Sequence, residues 1–242
     1  DEWTVYSIGG GALSEGEDDQ SELGAKDVYE LNKLGEIQQW CYDNGRSFWE
    51  YVEKCEGKEI WDYLDMVWQT MKQAIKNGLD HEGVLPGPLN LPRKAATYYT
   101  KAKGYRTSLQ SRGLVYSYAL AVSEENASGG TIVTAPTCGA CGVLPAVLYH
   151  MHTSHDMSEQ RILRALATAG LVGNVVKQNA SISGADVGCQ GEVGVACAMA
   201  SAAACQLFGG SPAQVEYAAE MGLEHHLGMT CDPVCGLVQI PC

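Results

Sequence analysis

Apolar side chains in this chain return at every third or fourth position, the period of one face of an α-helix. The pattern runs through Val28, Leu31, Leu34, Ile37 and Trp40, and again through Ile60, Tyr63, Leu64, Val67, Met71 and Ile75. It resumes over residues 116–124, 144–151, 159–177, 192–208 and 213–227, and Ser211-Pro212 reads as an N-cap followed by proline at the first helical position. Alternation of the strand type is confined to one short candidate, residues 130–135. The spacing therefore predicts a mainly α fold, and no internal repeat is evident.

Residues 1–24 hold an aromatic start, the triplet Gly9-Gly10-Gly11 and an acidic polar stretch, which reads as a connection from something N-terminal. The helical domain is expected over residues 25–242. Three prolines in residues 84–93 forbid helix and predict an ordered extended loop or a linker. The most apolar run, residues 193–208, is built of Ala, Gly, Ser and Cys and is shorter than the roughly 20 residues of a membrane-spanning helix, so it is expected to be a buried helix.

A net charge of -13, with no basic stretch after Arg106, gives no electrostatic footprint for nucleic acid or an anionic membrane, and neither is expected as a partner. Eight of the ten cysteines lie after residue 137. Uneven clustering in a chain without a recognisable signal peptide favours a cytoplasmic protein whose cysteines bind metal or react, over a secreted disulfide framework.

Three Gly-rich stretches flank the predicted helices: residues 134–142, 179–192 and 224–233. Small residues there permit close backbone approach, and the polar ones can hold a ligand or cap a helix. None matches a Walker or dinucleotide fingerprint. Spacing alone leaves the cysteines in several groupings. Cys138 and Cys141 fit a zinc or thioredoxin-like pair, and zinc would need a second pair such as Cys231 and Cys235. Cys189, Cys197 and Cys205 recur at intervals of eight, and Cys197 and Cys205, like Cys41 and Cys55, also read as small buried hydrophobes. Lys177 is the one Schiff-base candidate near the loops for a pyridoxal-phosphate enzyme, without a phosphate fingerprint to accompany it.

Taken together, Asn179 through Glu192, Gly209-Gly210-Ser211-Pro212, Glu224-His225, Thr230-Cys231-Asp232-Pro233-Val234 and the closing Gln239-Ile240-Pro241-Cys242 resemble the oxygen-sensitive iron-sulfur L-serine dehydratases. Tyr6-Ser7-Ile8-Gly9-Gly10-Gly11, Gly83-Val84-Leu85-Pro86-Gly87-Pro88-Leu89 and the 134–142 loop resemble segments of the same family in the same order, so the resemblance covers almost the whole chain. It implies a [4Fe-4S] cluster bound by three cysteines in the pattern C-x41-C-x10-C, here Cys189, Cys231 and Cys242, inside a helical domain whose Gly-rich loops surround a buried cluster. Cys138, Cys141, Cys197, Cys205 and Cys235 fall outside that pattern.

Three thiolates leave one iron open, as a Lewis-acid site requires. The resemblance implies L-serine as substrate, a small N-terminal (beta) domain or separate subunit as partner, a C-terminal tail beyond Cys242, and a homo-oligomer. In the family the general base resembles a histidine of that small domain, and within this chain the candidate is His225, with hydrogen bonding to a cluster ligand as its other expected role. His150, His152, His155 and His226 are expected to be structural or superficial. Thr134, Thr137, Asn179, Ser181 and Ser183 are the candidate contacts for the substrate carboxylate and ammonium, or else caps and turn closures. Asp186 and Glu192 are expected as acceptors behind the site or as helix-start charges.

Overall fold

The first regular helix among the described residues, α1 (Leu34–Asn44), ends where Gly45 adopts φ 61° and Arg46 N–H bonds back to Cys41 O at 2.8 Å. The computed structural model describes residues 4–9, 12–14, 28–229 and 234–237. Among these, β1 (Tyr6–Gly9) pairs antiparallel with β2 (Ala12–Ser14), and all other regular structure is helical. Periodicity had predicted helix from Val28 onward. Instead Leu31 N–H donates to the Tyr51 hydroxyl at 3.1 Å, a side-chain bond within the irregular segment that precedes α1.

Three helices follow the expected register. In α2 (Phe48–Glu56), Ser47 N–H donates to Glu50 Oε2 at 2.8 Å, closing a capping box, and α3 (Ile60–Asp80) buries Leu64, Trp68, Met71 and Ile75 along one face. Residues 84–93 form a closed loop rather than a linker. Leu85 N–H donates to Leu91 O at 2.8 Å and Arg93 N–H to Gly83 O at 2.9 Å, while Leu85 is buried beneath. Next comes α4 (Ala95–Lys103), which periodicity did not reveal, since only Ala95 and Ala102 of its nine residues are buried.

The second half is a layered pack of α5 (Thr107–Ala127), α6 (Val143–Ser154), α7 (Glu159–Asn179), α8 (Gly184–Leu207) and α9 (Pro212–Glu224). Ser211 caps α9 by accepting from Gln214 N at 3.4 Å, with Pro212 opening the helix as expected. Residues 130–135, the strand candidate, form no ladder among the described residues. The main core joins Ile37, Phe48, Tyr51 and Trp68 to Leu144, Leu148, Ile162, Leu171 and the alanines of α8.

Those alanines and glycines let helices approach almost backbone to backbone. A Cβ added at Gly222 of α9 would lie 2.8 Å from Cys197 O of α8, and one at Gly194 of α8 would lie 3.3 Å from Leu223 and 3.4 Å from His226. Residue 222 thus faces 197 while 223 and 226 face 194, so α8 and α9 run antiparallel. The apolar run 193–208 is accordingly a buried helix, as its composition predicted. None of the described helices is long and apolar enough to cross a membrane.

Glu124 fastens α4 to α5. Its Oε1 accepts from Lys94 N at 2.6 Å and Ala95 N at 3.2 Å, taking two of the unsatisfied donors at the start of α4. Burial raises its carboxyl above the ordinary range, with those two donors acting in the opposite sense. A carboxyl raised on folding makes the folded state bind the proton more tightly, so its stabilising share is present at low pH and is lost as pH rises through the raised value. Replacing Glu124 by Ala is expected to cost about 1–3 kcal/mol by orphaning the two donors. Glu124→Gln is expected to lose less and to flatten the fall in melting temperature just above the ordinary carboxylate range; denaturation across pH checks both.

Candidate functional site

Two of the Gly-rich stretches meet at one buried carboxylate. Glu192 of α8 is 9% exposed and accepts from the backbone N–H groups of Gly139 and Ala140. The same carboxylate lies so close to both loops that a Cβ at Gly139 would be 2.5 Å from Oε1, and a Cβ at Gly184 would be 2.5 Å from Oε2. A side chain at either position would force the carboxylate to move. Burial pushes the Glu192 carboxyl up, and the two backbone donors pull it back.

The 134–142 loop is pinned on its other side by α5. Asn126 Nδ2 donates to Cys138 O at 3.0 Å, and Gly142 passes so near α5 that a Cβ there would be 2.5 Å from Ala119 O. Within this loop Thr137 is 5% exposed and its Oγ1 has no hydrogen-bond partner among the described residues, whereas Thr134 is exposed. Cys141 is buried, and burial, reinforced by Cys138, pushes its thiol up to about 12. Cys138 itself is exposed, so the pair does not present two accessible sulfurs.

The 179–192 stretch differs from its sequence reading, because most of it is already helix. Ser183 caps α8 by accepting from Ala185 N at 3.3 Å, and the helix path breaks at Gly188, whose φ of 74° and ψ of 166° only glycine adopts freely. Cys189 therefore opens the regular part of α8, half-buried, where the helix dipole favours an anionic sulfur. Gln190 comes next, and its Oε1 is buried without a partner among the described residues.

The remaining expected contacts have local partners. Ser181 Oγ donates to Asp186 Oδ2 at 2.9 Å and accepts from Ser183 N at 3.0 Å. Asn179 Nδ2 donates to Asn32 O at 2.6 Å and Val175 O at 2.8 Å, tying the end of α7 to the irregular segment before α1. Lys177 is exposed on the last turn of α7.

His225 and His226 close α9 in different ways. His225 is exposed, and its Nδ1 donates to Met221 O at 2.7 Å, leaving Nε2 as the lone-pair nitrogen. His226 Nδ1 donates to Gly222 O at 2.8 Å, so its Nε2 accepts from the Cys197 thiol at 3.3 Å across the α8–α9 contact. Cys197 is thereby a packing group, with its thiol pushed up by burial. Cys235 sits at the tip of a tight turn with φ 53°, between Val234 and Leu237.

Cys231 and Cys242 lie outside the described residues. Among those described, no three His, Cys, Asp or Glu side chains are gathered to hold a metal ion. Sequence reasoning placed Glu192 behind the site without seeing that it joins two loops, and it passed over Gln190. The signal for the first was a pair of glycines far apart in sequence, which becomes legible only when their shared neighbour is known.

A family model described as the serine dehydratase alpha chain matches residues 17–242, a span that contains both converging loops and all three cysteines of the expected pattern. The chain belongs to the serine dehydratase alpha chain family. Among similar proteins, L-serine dehydratase 1 of Escherichia coli (strain K12) is 46% identical over 253 residues, covering 99% of this chain and 55% of the relative. The L-serine dehydratase of Haemophilus influenzae is 46% identical over 256 residues, again 99% of this chain and 55% of the relative. That of Helicobacter pylori is 40% identical over 255 residues, 100% of this chain and 56% of the relative. The chain spans about half the length of the curated relatives it matches.

Because Gly139 makes room for the Glu192 carboxylate, Gly139→Ala is expected to destabilise the alpha-chain domain by about 1–3 kcal/mol. The penalty is expected to shrink when Glu192 is also replaced by Ala, and a double-mutant cycle followed by denaturant unfolding measures the coupling. Equal penalties in both backgrounds would show that the carboxylate is not what Gly139 accommodates.

Proposed function

We propose that this chain is the cluster-binding part of an L-serine dehydratase, which eliminates water from L-serine and releases pyruvate and ammonia. The cluster is a [4Fe-4S] centre held by Cys189, Cys231 and Cys242. The observation that carries this reading is the antiparallel pairing of α8 with α9. Gly194 packs beside His226, and Cys189 lies five residues nearer the start of α8, about 7 Å along the axis. Met229, which follows α9, is two positions before Cys231, a stretch that spans at most about 7 Å. The proposed site brings Cys231, 42 positions after Cys189, to this end of the helix pair.

The residues present fit such a group. Cys189 is half-buried at the start of the regular part of α8, a setting that stabilises a thiolate, and the neighbouring 134–142 loop carries the orphaned Thr137 Oγ1 and is tied to the same helix through Glu192. When bound, a cluster with three protein thiolates supplies an open iron as a Lewis acid toward the substrate carboxylate and β-hydroxyl, which makes hydroxide a better leaving group and the Cα proton more acidic.

The chain's own groups position the substrate. Thr137 offers a buried hydroxyl; Thr134, Asn179, Ser181 and Ser183 line the same two stretches and either touch substrate or hold the loops closed. Glu192 locks the 134–142 loop against α8 and so fixes where Thr137 stands. His225 Nε2 is a lone-pair nitrogen able to take the Cα proton, the alternative base being a histidine of a small partner domain. Loss of the Cα proton and the β-hydroxyl gives aminoacrylate, which tautomerises and hydrolyses to pyruvate and ammonia.

That small domain, on the same polypeptide or as a separate subunit, and a C-terminal tail would together make up the rest of the relatives' length. The reading further places the protein in the cytoplasm, where thiols stay reduced, and as a homo-oligomer.

Two measurements test this. The complete enzyme, reconstituted anaerobically with iron and sulfide, is expected to form pyruvate from L-serine and to lose turnover in air; retention of full activity after prolonged oxygenation would count against the open iron. Cys189→Ser is expected to remove most of the iron and acid-labile sulfide, while Cys138→Ser and Cys141→Ser keep them. The reverse outcome would favour a closed zinc site on Cys138, Cys141, Cys231 and Cys235.

A further inference from the structure

The cations of this chain gather where its acids are missing. Residues 83–123 hold six of the sixteen Lys and Arg and no Asp or Glu, so all 29 acids lie elsewhere. Arg93 of that segment is taken by Glu125, whereas Arg106 and Arg112 are exposed. Arg106, the N-cap of α5, is followed at helical intervals by Leu109, Arg112 and Tyr116, and Leu109 and Tyr116 are 56% and 68% exposed. Single apolar side chains on a surface are ordinary, but large ones aligned with arginines on one face mark a contact surface.

A second stripe matches the first in length and opposes it in charge. Glu59, Asp62, Tyr63 and Met66 recur at i, i+3, i+4 and i+7 where α3 begins; all four are exposed, Tyr63 by 57% and Met66 by 56%. Among the described residues neither these two acids nor Arg106 and Arg112 form an ion pair. Glu59 to Met66 and Leu109 to Tyr116 are each about 11 Å along a helix. Within one copy α3 and α5 already pack through other faces, with Gly78 against Ala121 and Ile75 in one buried cluster with Tyr118 and Val122. Each stripe therefore faces away from that contact.

Charge decides what can cover these faces. Laid on its own copy about a two-fold axis, the α5 stripe would set arginine against arginine, and the α3 stripe carboxylate against carboxylate, both repulsive. The α5 stripe laid on the α3 stripe brings arginines to carboxylates and Leu109 and Tyr116 to Tyr63 and Met66. In a two-fold assembly a contact of residue i with residue j is repeated as j with i, so this match is made twice. We infer that two copies of the chain pair reciprocally, the α5 stripe of each lying on the α3 stripe of the other. The pairing rests on the homo-oligomer of the reading above and not on its chemistry.

The complete enzyme is weighed by light scattering as parent, as Arg112→Glu and as Asp62→Arg. Both positions are exposed, so the melting temperature is expected to match the parent; if either variant departs from it, Arg106→Glu and Glu59→Arg carry the same comparison. The parent is expected to have the mass of a pair or a multiple of it. Each variant alone sets like charges together in both contacts and is expected to dissociate, with Kd raised roughly tenfold or more. Equal amounts of the two variants, mixed, are expected to regain the parent's mass, because a mixed pair holds one native contact and one with its charges exchanged. A monomeric parent, single variants that keep the parent's mass, or a mixture that stays dissociated overturns the inference. So does a variant of parental mass whose small domain has become open to protease, since the stripe then seats that domain. Pyruvate formation is read alongside: a parent of paired mass that forms none from L-serine sinks the dehydratase chemistry and leaves the pairing standing.

Discussion

A carboxylate taken out of water must be met by donors or it destabilises the fold, and at Glu192 the donors come from a loop more than fifty positions earlier in the chain. That bond makes the 134–142 loop and the start of α8 a single unit. Remove it and the glycines at 139 and 184 lose their purpose, and the loop between α5 and α6 keeps its ties to α5 through Asn126 and Gly142 but loses its bond to α8. The rest of the site is arranged around this contact: Cys189 and Gln190 lie on the near side of α8, and the packed shaft beyond them supplies the rigid base.

The shaft is rigid for a different reason. Alanine and glycine bring α8 against α7 and α9 at distances where larger side chains would collide, and the resulting contact is made by backbone as much as by side chains. The Cys197 thiol given to His226 Nε2 belongs to this packing and shows how a cysteine in a cysteine-rich chain can be spent on helix contact alone. Residues of this kind lock α8 and α9 in a fixed relation, which a loose leucine interface, able to repack, would not do.

Helices with a wide apolar stripe were legible in sequence because their burial repeats at the helical period; α3 and α7 are examples. Two features were not. In α4 the buried side chains are alanines at the ends, and its anchoring comes from Glu124 on another helix, so no local pattern betrays it. The stretch 179–192 looks like loop because its glycines are many, yet Gly188 serves as a break, Gly184 as clearance for Glu192 and Gly191 as clearance for Val187, while the backbone around them is helical. The cysteine assignment shows the same limit from the other side. Spacing alone left several groupings, and family resemblance picked Cys189, Cys231 and Cys242; what the fold adds is the place of Cys189, at the start of the regular part of α8, the end of that helix that packs against the close of α9.

For the proposed cluster site, the packing of α8 against α9 has an entropic consequence for bringing Cys231 to Cys189. Closing a chain segment on itself costs configurational freedom in proportion to the logarithm of its length. Folding of α8 onto α9 meets nearly all of that cost before any ligand arrives, shortening the effective tether from 41 intervening residues to the few that follow His226. By the logarithmic law this lowers the penalty of bringing the second sulfur home by about 2 kcal/mol. In the proposed site the helix pair would thus act as a template that raises the local concentration of one thiol about the other, and capture of the cluster there would depend on the docking of α8 against α9.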